Sequence, residues 1–389
     1  MIKMIYFDNA ASTKPLDIVL DKYLEVSKNI YANPGSNNRF GMEAEKIIKE
    51  SASTLARIIH AEDYKEIVFT SGGTESNNLA IFGTAKGYHR SGKHIVTTTI
   101  EHPAVELPFK KLEEEGFEVD FLRVDEKGYI NIEELKSIIR QDTILVSIIL
   151  INNEIGTIQK IEEIGHLIKE INPTTIFHVD GVQAFGKQEI DVKRSKIDLL
   201  SVSGHKFNAP KGLGFLYVKK RLKIQPTVFG GGQQNNLRPG TENPAGSAAL
   251  ALAAEKSYKD IENDLKRVKA VKKHLFDGIK ENITDVFLNG DDIEKASPYV
   301  LNVAFRGLRA PVLLNALEEK EVYLSTGSAC HSRKKTQSSV LKALNLETEE
   351  SDSSVRFSFS RFNTIDEADE CVRVLTEIVP MIRRFNRKR

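Results

Sequence analysis

The sequence has few of the features that mark secreted, membrane-bound or nucleic-acid-binding proteins. It has 389 residues, two cysteines and a formal net charge of +1. Two cysteines cannot form the disulfide framework of a small secreted domain, and they favour a reducing, cytoplasmic compartment. A net charge so close to zero gives no reason to expect binding to nucleic acid or to a membrane surface.

Long apolar runs are also missing. The first residues, MIKMIYFDNAAST, contain a short apolar stretch that Lys3 and Asp8 interrupt, so we expect no signal peptide. No later segment approaches the roughly 18 consecutive apolar residues that a membrane-spanning helix needs. The sequence therefore predicts a cytoplasmic protein with no membrane partner and no direct contact with nucleic acid, and its residue patterns assign no metal ligands.

From about residue 65 onward, apolar strand patterns alternate with amphipathic helix patterns. The strand patterns are EIVFTSG (66–72), HIVTTTIEH (94–102), TILVSIILIN (143–152), TIFHVDG (175–181), DLLSVSG (198–204) and GLGFLYV (212–218). Strands that alternate with helices predict an α/β fold with a mostly parallel sheet flanked by helices. Ligands of such sheets bind beyond the carboxyl ends of the strands.

The chain is longer than the roughly 250–300 residues that one core usually supports, so we expect two domains. A large domain is expected over residues 15–255, and a smaller α+β domain over residues 1–14 and 256–389. The charged segment AAEKSYKDIENDLKRVKAVKKHLFDGIKENI (253–283) is expected to be one long helix that leads into the smaller domain.

Polar groups stand at the predicted strand ends. SGGTES (71–76) follows the first strand and opens a helix, which suits a phosphate but also suits a plain turn. His102, Asn153 and Asp180 end three further strands. Taken singly, His102 indicates a structural histidine, Asn153 a turn and Asp180 a helix cap. Taken together they also fit an aromatic ligand whose protonated ring nitrogen faces Asp180.

Lys206 lies between two apolar strands, in SVSGHKFNAPKGLGFLYV (201–218). For one lysine taken alone, an exposed loop position is the simpler interpretation. A buried lysine charge is costly, however, and burial lowers the pKa of the amine, which suits a lysine that forms a Schiff base. With the phosphate turn, the histidine and Asp180, this lysine indicates a pyridoxal phosphate site.

These segments resemble the cysteine desulfurases of the NifS/IscS type, within the class V aminotransferase family of fold-type I pyridoxal phosphate enzymes. The resemblance covers nearly the whole chain. It runs from YFDNAAST (6–13) and NPGS through FTSGGTESNN, EHPAV, NNEIGTIQ, HVDGVQAFGK, the lysine segment and RPGTEN to STGSAC and VRFSFSRFNT (355–364). The lysine segment is typical of the wider family. STGSAC is typical of the desulfurase branch with a long cysteine loop, at about residues 325–340 here.

The resemblance implies a role for each matching residue. Lys206 would form the internal aldimine with pyridoxal phosphate, His102 would stack on the ring and help to move protons, and Cys330 would take up the substrate sulfur. It also implies a homodimer in which Thr241 reaches the phosphate in the neighbouring subunit. The remaining implied contacts are to the ring nitrogen (Asp180), the ring hydroxyl (Gln183, Asn153), the phosphate (Gly73, Thr74, Ser203, His205), the substrate carboxylate (Arg356) and the substrate more generally (Asn33, Asn153).

The two cysteines differ in their surroundings. Burial is common for a free cysteine, but STGSACHSRKKTQSS is polar and basic, which predicts an exposed Cys330. The neighbouring basic residues favour its thiolate. Cys371 lies in a helical pattern and is expected to be structural. The basic residues after Cys330 exceed those of typical family members, so the sulfur acceptor stays open between an iron–sulfur scaffold and a tRNA-thiolation enzyme.

The expected reaction converts L-cysteine to L-alanine, with the sulfur held as a persulfide on Cys330 and passed to an acceptor protein. A transaminase or a selenocysteine lyase with the same cofactor is one alternative, and STGSAC disfavours the transaminase. A catalytically silent scaffold for a sulfur carrier is another. The presence of Lys206, Asp180, His102 and Arg356 disfavours it.

Overall fold

The chain folds around a seven-stranded sheet and a smaller three-stranded sheet. The computed structural model describes residues 4–327 and 338–386. The strands are β1 Ile5–Tyr6, β2 Ile67–Thr70, β3 His94–Thr98, β4 Glu118–Leu122, β5 Thr143–Ile149, β6 Ile176–Asp180, β7 Leu199–Ser203, β8 Gly214–Val218, β9 Val286–Leu288, β10 Val300–Phe305, β11 Val322–Tyr323 and β12 Ser354–Ser358. The helices are α1 Asp17–Asn29, α2 Arg39–Ile58, α3 Gly73–Tyr88, α4 Pro103–Glu114, α5 Ile132–Ile138, α6 Ile161–Ile171, α7 Pro244–Tyr258, α8 Ile261–Asn282, α9 Ala310–Glu318, α10 Ser339–Ala343, α11 Thr348–Asp352 and α12 Ile365–Asn386.

The large sheet has the strand order β2-β8-β7-β6-β5-β3-β4. Strands β3 to β7 pair in parallel, whereas β8 runs antiparallel to both of its neighbours. Every residue of β5, β6 and β7 is buried, as their apolar sequences require of central strands covered on both faces. The predicted α/β architecture with a mostly parallel sheet is therefore confirmed.

The smaller sheet is antiparallel, in the order β12-β10-β9. Its strands share a hydrophobic core with α8, α9 and α12, built from residues such as Leu275, Phe305 and Phe357. Cys371 of α12 is buried in this core, where burial raises the pKa of its thiol. The domain boundary between residues 255 and 256 stays a prediction.

The prediction of one long helix over residues 253–283 is wrong. Two helices, α7 and α8, occupy this segment, and Asp260 leaves the helical conformation between them (φ −136°, ψ 33°). The side-chain amide of Asn263, in the first turn of α8, donates to the Asp260 carboxylate at 2.6 Å. The two helices also have different partners, since α7 packs on α1 and α2 whereas α8 packs on α12.

The N-terminal segment connects the two sheets. Strand β1 pairs with β11, and the amide N–H of Ser358 in β12 donates to the carbonyl of Phe7 at 2.6 Å. A few residues later, the amide N–H of Thr13 donates to the carbonyl of His205, just beyond β7 of the large sheet, at 2.9 Å. Residues 8–13 therefore lie beside the carboxyl ends of the parallel strands. No helix within residues 4–327 and 338–386 is both long and apolar enough to span a lipid bilayer.

Candidate active site

A cavity of about 270 Å³ lies at the carboxyl ends of the parallel strands. This volume is close to the lower limit of about 300 Å³ for small-molecule pockets. Ten of the residues singled out from the sequence line it: Gly73, Thr74, His102, Asn153, Asp180, Gln183, Ser203, His205, Lys206 and Arg356. They come from the ends of five strands of the large sheet and from β12 of the smaller one.

Asp180 is the buried carboxylate of this cavity, with 3% of its surface exposed. Its Oδ1 accepts a hydrogen bond from the Val182 amide at 3.0 Å, and its Oδ2 accepts one from Nδ2 of Asn77 at 2.8 Å. Each oxygen keeps a second lone pair, so the carboxylate can accept a further donor from the cavity. Sequence reasoning missed Asn77. It lies one helical turn after Gly73 in α3 and therefore shares its face, which was an available signal.

Glu101 lies in the interior next to this carboxylate. The Thr98 hydroxyl and the Ile149 amide donate to its Oε1 at 2.7 and 2.9 Å, and its Oε2 has no hydrogen-bond partner among the described residues. Burial, and to a smaller extent the charge of Asp180, raises the pKa of Glu101 to about 8. The Glu101 carboxyl is therefore mainly neutral at pH 7.

Lys206 projects from the turn after β7 towards the N-terminal segment. Its Nζ donates to the carbonyl oxygens of Ala10 at 2.6 Å and of Ala11 at 2.9 Å. The same Ala10 carbonyl accepts a hydrogen bond from Nε2 of Gln183 at 3.0 Å. Sequence reasoning missed both alanines, because a backbone carbonyl has no signature in a residue pattern.

The N-terminus of α3 opens onto the cavity beside the end of β7. No side chain of the described residues caps this helix end. A Cβ on Gly73 would come within 2.7 Å of Val182, and one on Gly72 within 3.3 Å of the Ser203 hydroxyl, so glycine allows this close approach. Backbone N–H groups at a helix N-terminus favour an anion. Burial, followed by the charge of Lys206, lowers the pKa of His205 to about 4, so its ring is neutral here.

His102 ends the loop after β3 and caps α4. Its Nδ1 accepts the amide N–H of Ala104 at 3.0 Å, so this nitrogen carries no proton. His102 is thus the N-cap of α4, a structural role of the kind expected for a histidine taken singly. Because the ring also lines the cavity, the cap fixes its orientation there.

Arg356 is almost completely buried, with 1% of its surface exposed. Its Nη1 donates to the Asn153 carbonyl at 2.9 Å, and its Nη2 donates to Oδ1 of Asp8, also at 2.9 Å. Its Nε is buried without a partner among the described residues. The guanidinium thus faces the cavity with hydrogen-bonding capacity left, as a site for a carboxylate requires.

Two predicted residues that the structure describes do not line the cavity of this chain. Asn33 and Thr241 are exposed, and the Asn33 side chain accepts the Gly35 amide at 2.9 Å. Their predicted contacts, which for Thr241 involve a second subunit, stay predictions. Cys330, predicted as an exposed thiol, lies outside the described residues.

The cavity fits pyridoxal phosphate. A buried carboxylate, a helix N-terminus, a serine hydroxyl, a glutamine amide and a lysine amine all face one space. These groups match the ring nitrogen, phosphate, ring hydroxyl and aldehyde of that cofactor. The described residues hold no group of three or more His, Cys, Asp or Glu side chains suited to a metal ion.

Comparison with known proteins identifies the family. The aminotransferase class-V family matches residues 5–371. Cysteine desulfurase IscS of Shewanella baltica (strain OS155) is 42% identical over 387 residues, covering 98% of this chain and 94% of its own. The putative cysteine desulfurase IscS 1 of Bacillus subtilis (strain 168) is 41% identical over 379 residues, covering 97% of this chain and 99% of its own.

The fold agrees with the sequence matches. The solved structure of a NifS-like protein superimposes with a TM-score of 0.91 at 32% identity, covering 97% of this chain and 100% of that one. The resemblance noted from the sequence motifs is thereby confirmed across nearly the whole chain. The chain belongs to the aminotransferase class-V family and, within it, to the cysteine desulfurases of the NifS/IscS type.

Proposed function

We propose that this protein uses pyridoxal phosphate to convert L-cysteine to L-alanine and transfers the sulfur, through Cys330, to an acceptor protein. The observation that carries the proposal is the convergence of Lys206, Asp180 and Arg356 on one cavity. When bound, the cofactor supplies an aldehyde that joins to an amine and a ring that takes up electrons from the substrate Cα.

Lys206 is the residue that would hold the cofactor and move the proton of the substrate. Its Nζ is anchored by the Ala10 and Ala11 carbonyls, which fix the amine at the cavity wall. With the substrate bound, Lys206 Nζ would take the proton from the substrate Cα and pass it on, as a general base and acid. His102, whose ring is fixed by its helix cap, is the proposed stacking partner and second proton carrier.

Asp180 would keep the ring nitrogen protonated. Its carboxylate accepts hydrogen bonds from the Asn77 amide and the Val182 N–H, which fix its orientation. The neutral state of Glu101 avoids a second negative charge beside it. The N-terminus of α3 at Gly73 and Thr74, with Ser203 and His205, would hold the phosphate. Thr241 of a second subunit is proposed to complete this site, which makes the enzyme a homodimer.

Arg356 would bind the substrate carboxylate. In the structure its Nη2 pairs with Asp8, a half-buried carboxylate on the N-terminal segment. A substrate carboxylate would compete with Asp8 for the guanidinium, so binding exchanges one ion pair for another. Asn153 and Gln183 line the same cavity and would contact the ring hydroxyl, and Asn33 is proposed to approach the substrate.

The sulfur step requires a thiolate, and Cys330 is proposed to supply it. The thiolate attacks the substrate sulfur, the carbon–sulfur bond breaks with its electron pair left on carbon, and that carbon is then protonated. Cys330 carries the sulfur as a persulfide, and alanine leaves. A second thiol, on an iron–sulfur scaffold or a tRNA-thiolation enzyme in the cytoplasm, is the proposed acceptor.

The test uses the purified protein reconstituted with pyridoxal phosphate, L-cysteine and a thiol reductant. We expect alanine and sulfide in equal amounts. Cys330→Ala should keep the visible absorbance of the bound cofactor but lose sulfide release, and Cys371→Ala, which changes the buried cysteine, is the matched control. Undiminished sulfide release by Cys330→Ala, or a keto acid instead of alanine, would contradict the proposal. Persulfide transfer from labelled cysteine to candidate acceptors separates the two pathways.

A further inference from the structure

Lys187, in the turn after β6, is a buried lysine that the proposed reaction does not use. It is 5% exposed, and its Nζ donates to Oε1 of Gln183 at 2.9 Å. The Tyr299 ring, next to β10, lies 5.5 Å from the same nitrogen. Among the ion pairs of the described residues, none joins Lys187 to a carboxylate. Buried lysines are rare unless they are paired, so this one calls for an explanation.

The charges around Lys187 are positive. Burial, followed by the charges of Lys206 beyond β7 and Arg356 in β12, lowers the pKa of Lys187 to about 7. His205 also lies close enough to Lys187 to interact with it electrostatically, and its ring is neutral. Near neutral pH the Lys187 amine is therefore present in both protonation states, and each of them carries N–H groups that can donate to the Gln183 oxygen.

The amide of Gln183 has only one orientation that satisfies both of its neighbours. Lys187 Nζ donates to Oε1, and the Ala10 carbonyl, which can only accept, receives a hydrogen bond from Nε2 at 3.0 Å. A flipped amide would set its NH₂ group against the ammonium of Lys187 and its oxygen against the Ala10 carbonyl. In the observed orientation Nε2 keeps one N–H that is not used by Ala10. Gln183 lines the cavity.

We propose that Lys187 is a positioning residue that fixes the Gln183 amide with its NH₂ group towards the cavity, so that the ring oxygen of the cofactor meets a donor. This inference rests on the proposed function, because it assigns the cavity to pyridoxal phosphate. A donor at the ring oxygen stabilises its deprotonated form, and the positive charge of Lys187 opposes a proton on Lys206 Nζ. Both effects lower the pH at which the bound cofactor loses its proton at Lys206 Nζ.

The experiment titrates the visible absorbance of the reconstituted full-length protein with pH. Lys187→Met and Lys187→Gln remove the same charge, but only the glutamine keeps a donor for Gln183. We expect the midpoint pH of this titration to be higher in both variants than in the wild type. The midpoint of Lys187→Met should exceed that of Lys187→Gln by roughly 0.5–1 pH unit. Lys193→Met, an exposed lysine of the following segment, is the matched control and should titrate as the wild type.

A second background tests whether Lys187 acts through Gln183. In Gln183→Leu the difference between the Met and Gln variants should vanish, because there is no amide left to orient. The inference is overturned if the two variants have the same midpoint with Gln183 present, or if they still differ in Gln183→Leu. If Lys187→Met does not fold, the signal of the isotope-labelled Gln183 amide in the wild type is measured instead. Its NH₂ signal should shift when the cofactor is added, and an unchanged signal would contradict the inference. A wild type with no visible band would instead contradict the proposed function.

Discussion

Replacement of Glu101 by glutamine should make the stability of the protein less sensitive to pH. In the folded chain the pKa of this buried carboxyl is raised from 4.5 to about 8. The folded state therefore holds a proton that the unfolded state has already lost. The stability associated with this proton is fully present below about pH 4.5 and is lost as the pH rises to about 8. Glutamine has no ionisable proton, so the variant does not lose this stability as the pH rises.

The size of the effect follows from the displacement of the pKa. At about 1.4 kcal/mol per pH unit, the range from 4.5 to about 8 corresponds to an upper limit of about 5 kcal/mol. The glutamine amide would keep the acceptor that Thr98 and Ile149 use, but its NH₂ group would replace the unpartnered Oε2. That unsatisfied group costs about 1–3 kcal/mol at every pH. Glu101→Gln should therefore have a lower free energy of unfolding than the wild type at low pH. This difference should shrink as the pH rises.

Urea denaturation of the cofactor-free protein, followed by circular dichroism between about pH 5 and pH 8.5, measures this difference. Glu113→Gln, which changes an exposed glutamate of α4, controls for the loss of a surface charge. We expect the free energy of unfolding of Glu101→Gln relative to the wild type to increase by several kcal/mol across the range. Parallel curves for the two proteins would show that Glu101 is ionised in the folded state and would refute the reasoning.

Three further predictions concern other positions. Arg356→Lys should raise KM for cysteine by roughly 10–100-fold in steady-state assays, because one ammonium cannot maintain both Nη contacts and bind a carboxylate. An unchanged KM would show that Arg356 does not bind the substrate. Asp8→Asn should weaken the competition for Arg356 and lower KM for cysteine, and a raised KM would show that Asp8 instead orients the guanidinium. Cys371→Ala should lower the free energy of unfolding by about 1–3 kcal/mol through a core cavity while alanine production per folded molecule stays the same, and lost production would give Cys371 a role in the reaction.

The sequence predicts much of the cavity because strand ends of a parallel sheet share one edge. His102, Asp180 and Lys206 each follow an apolar strand, and the structure brings all three to the same space. The Ala10 carbonyl could not be predicted, because any residue carries one. Lys187 was also missed, since a lysine in a turn is usually solvated, and its burial depends on tertiary contacts with Tyr299 that sequence spacing does not reveal.

The remaining errors have similar physical causes. Apolar periodicity continues through residues 253–283, so it could not locate the break at Asp260, which separates two helices with different packing partners. Asn77 was recognisable from its position one helical turn after Gly73, but asparagine in a helix has many ordinary explanations. Thr241 is exposed in a single chain, so its predicted contact depends on an interface that one chain does not contain.

The N-terminal segment also sets the order in which the site can be assembled during synthesis. Asn9 is hydrogen-bonded to Ser358, 349 residues further along the chain, and Asp8 pairs with Arg356. At about 5–20 residues per second, a ribosome needs roughly 20–70 s to make the intervening chain. Strands β2 to β8 can form their sheet in that time, but the segment that anchors Lys206 lacks its partners in β12. The cavity is therefore completed late, when almost the entire chain has been made.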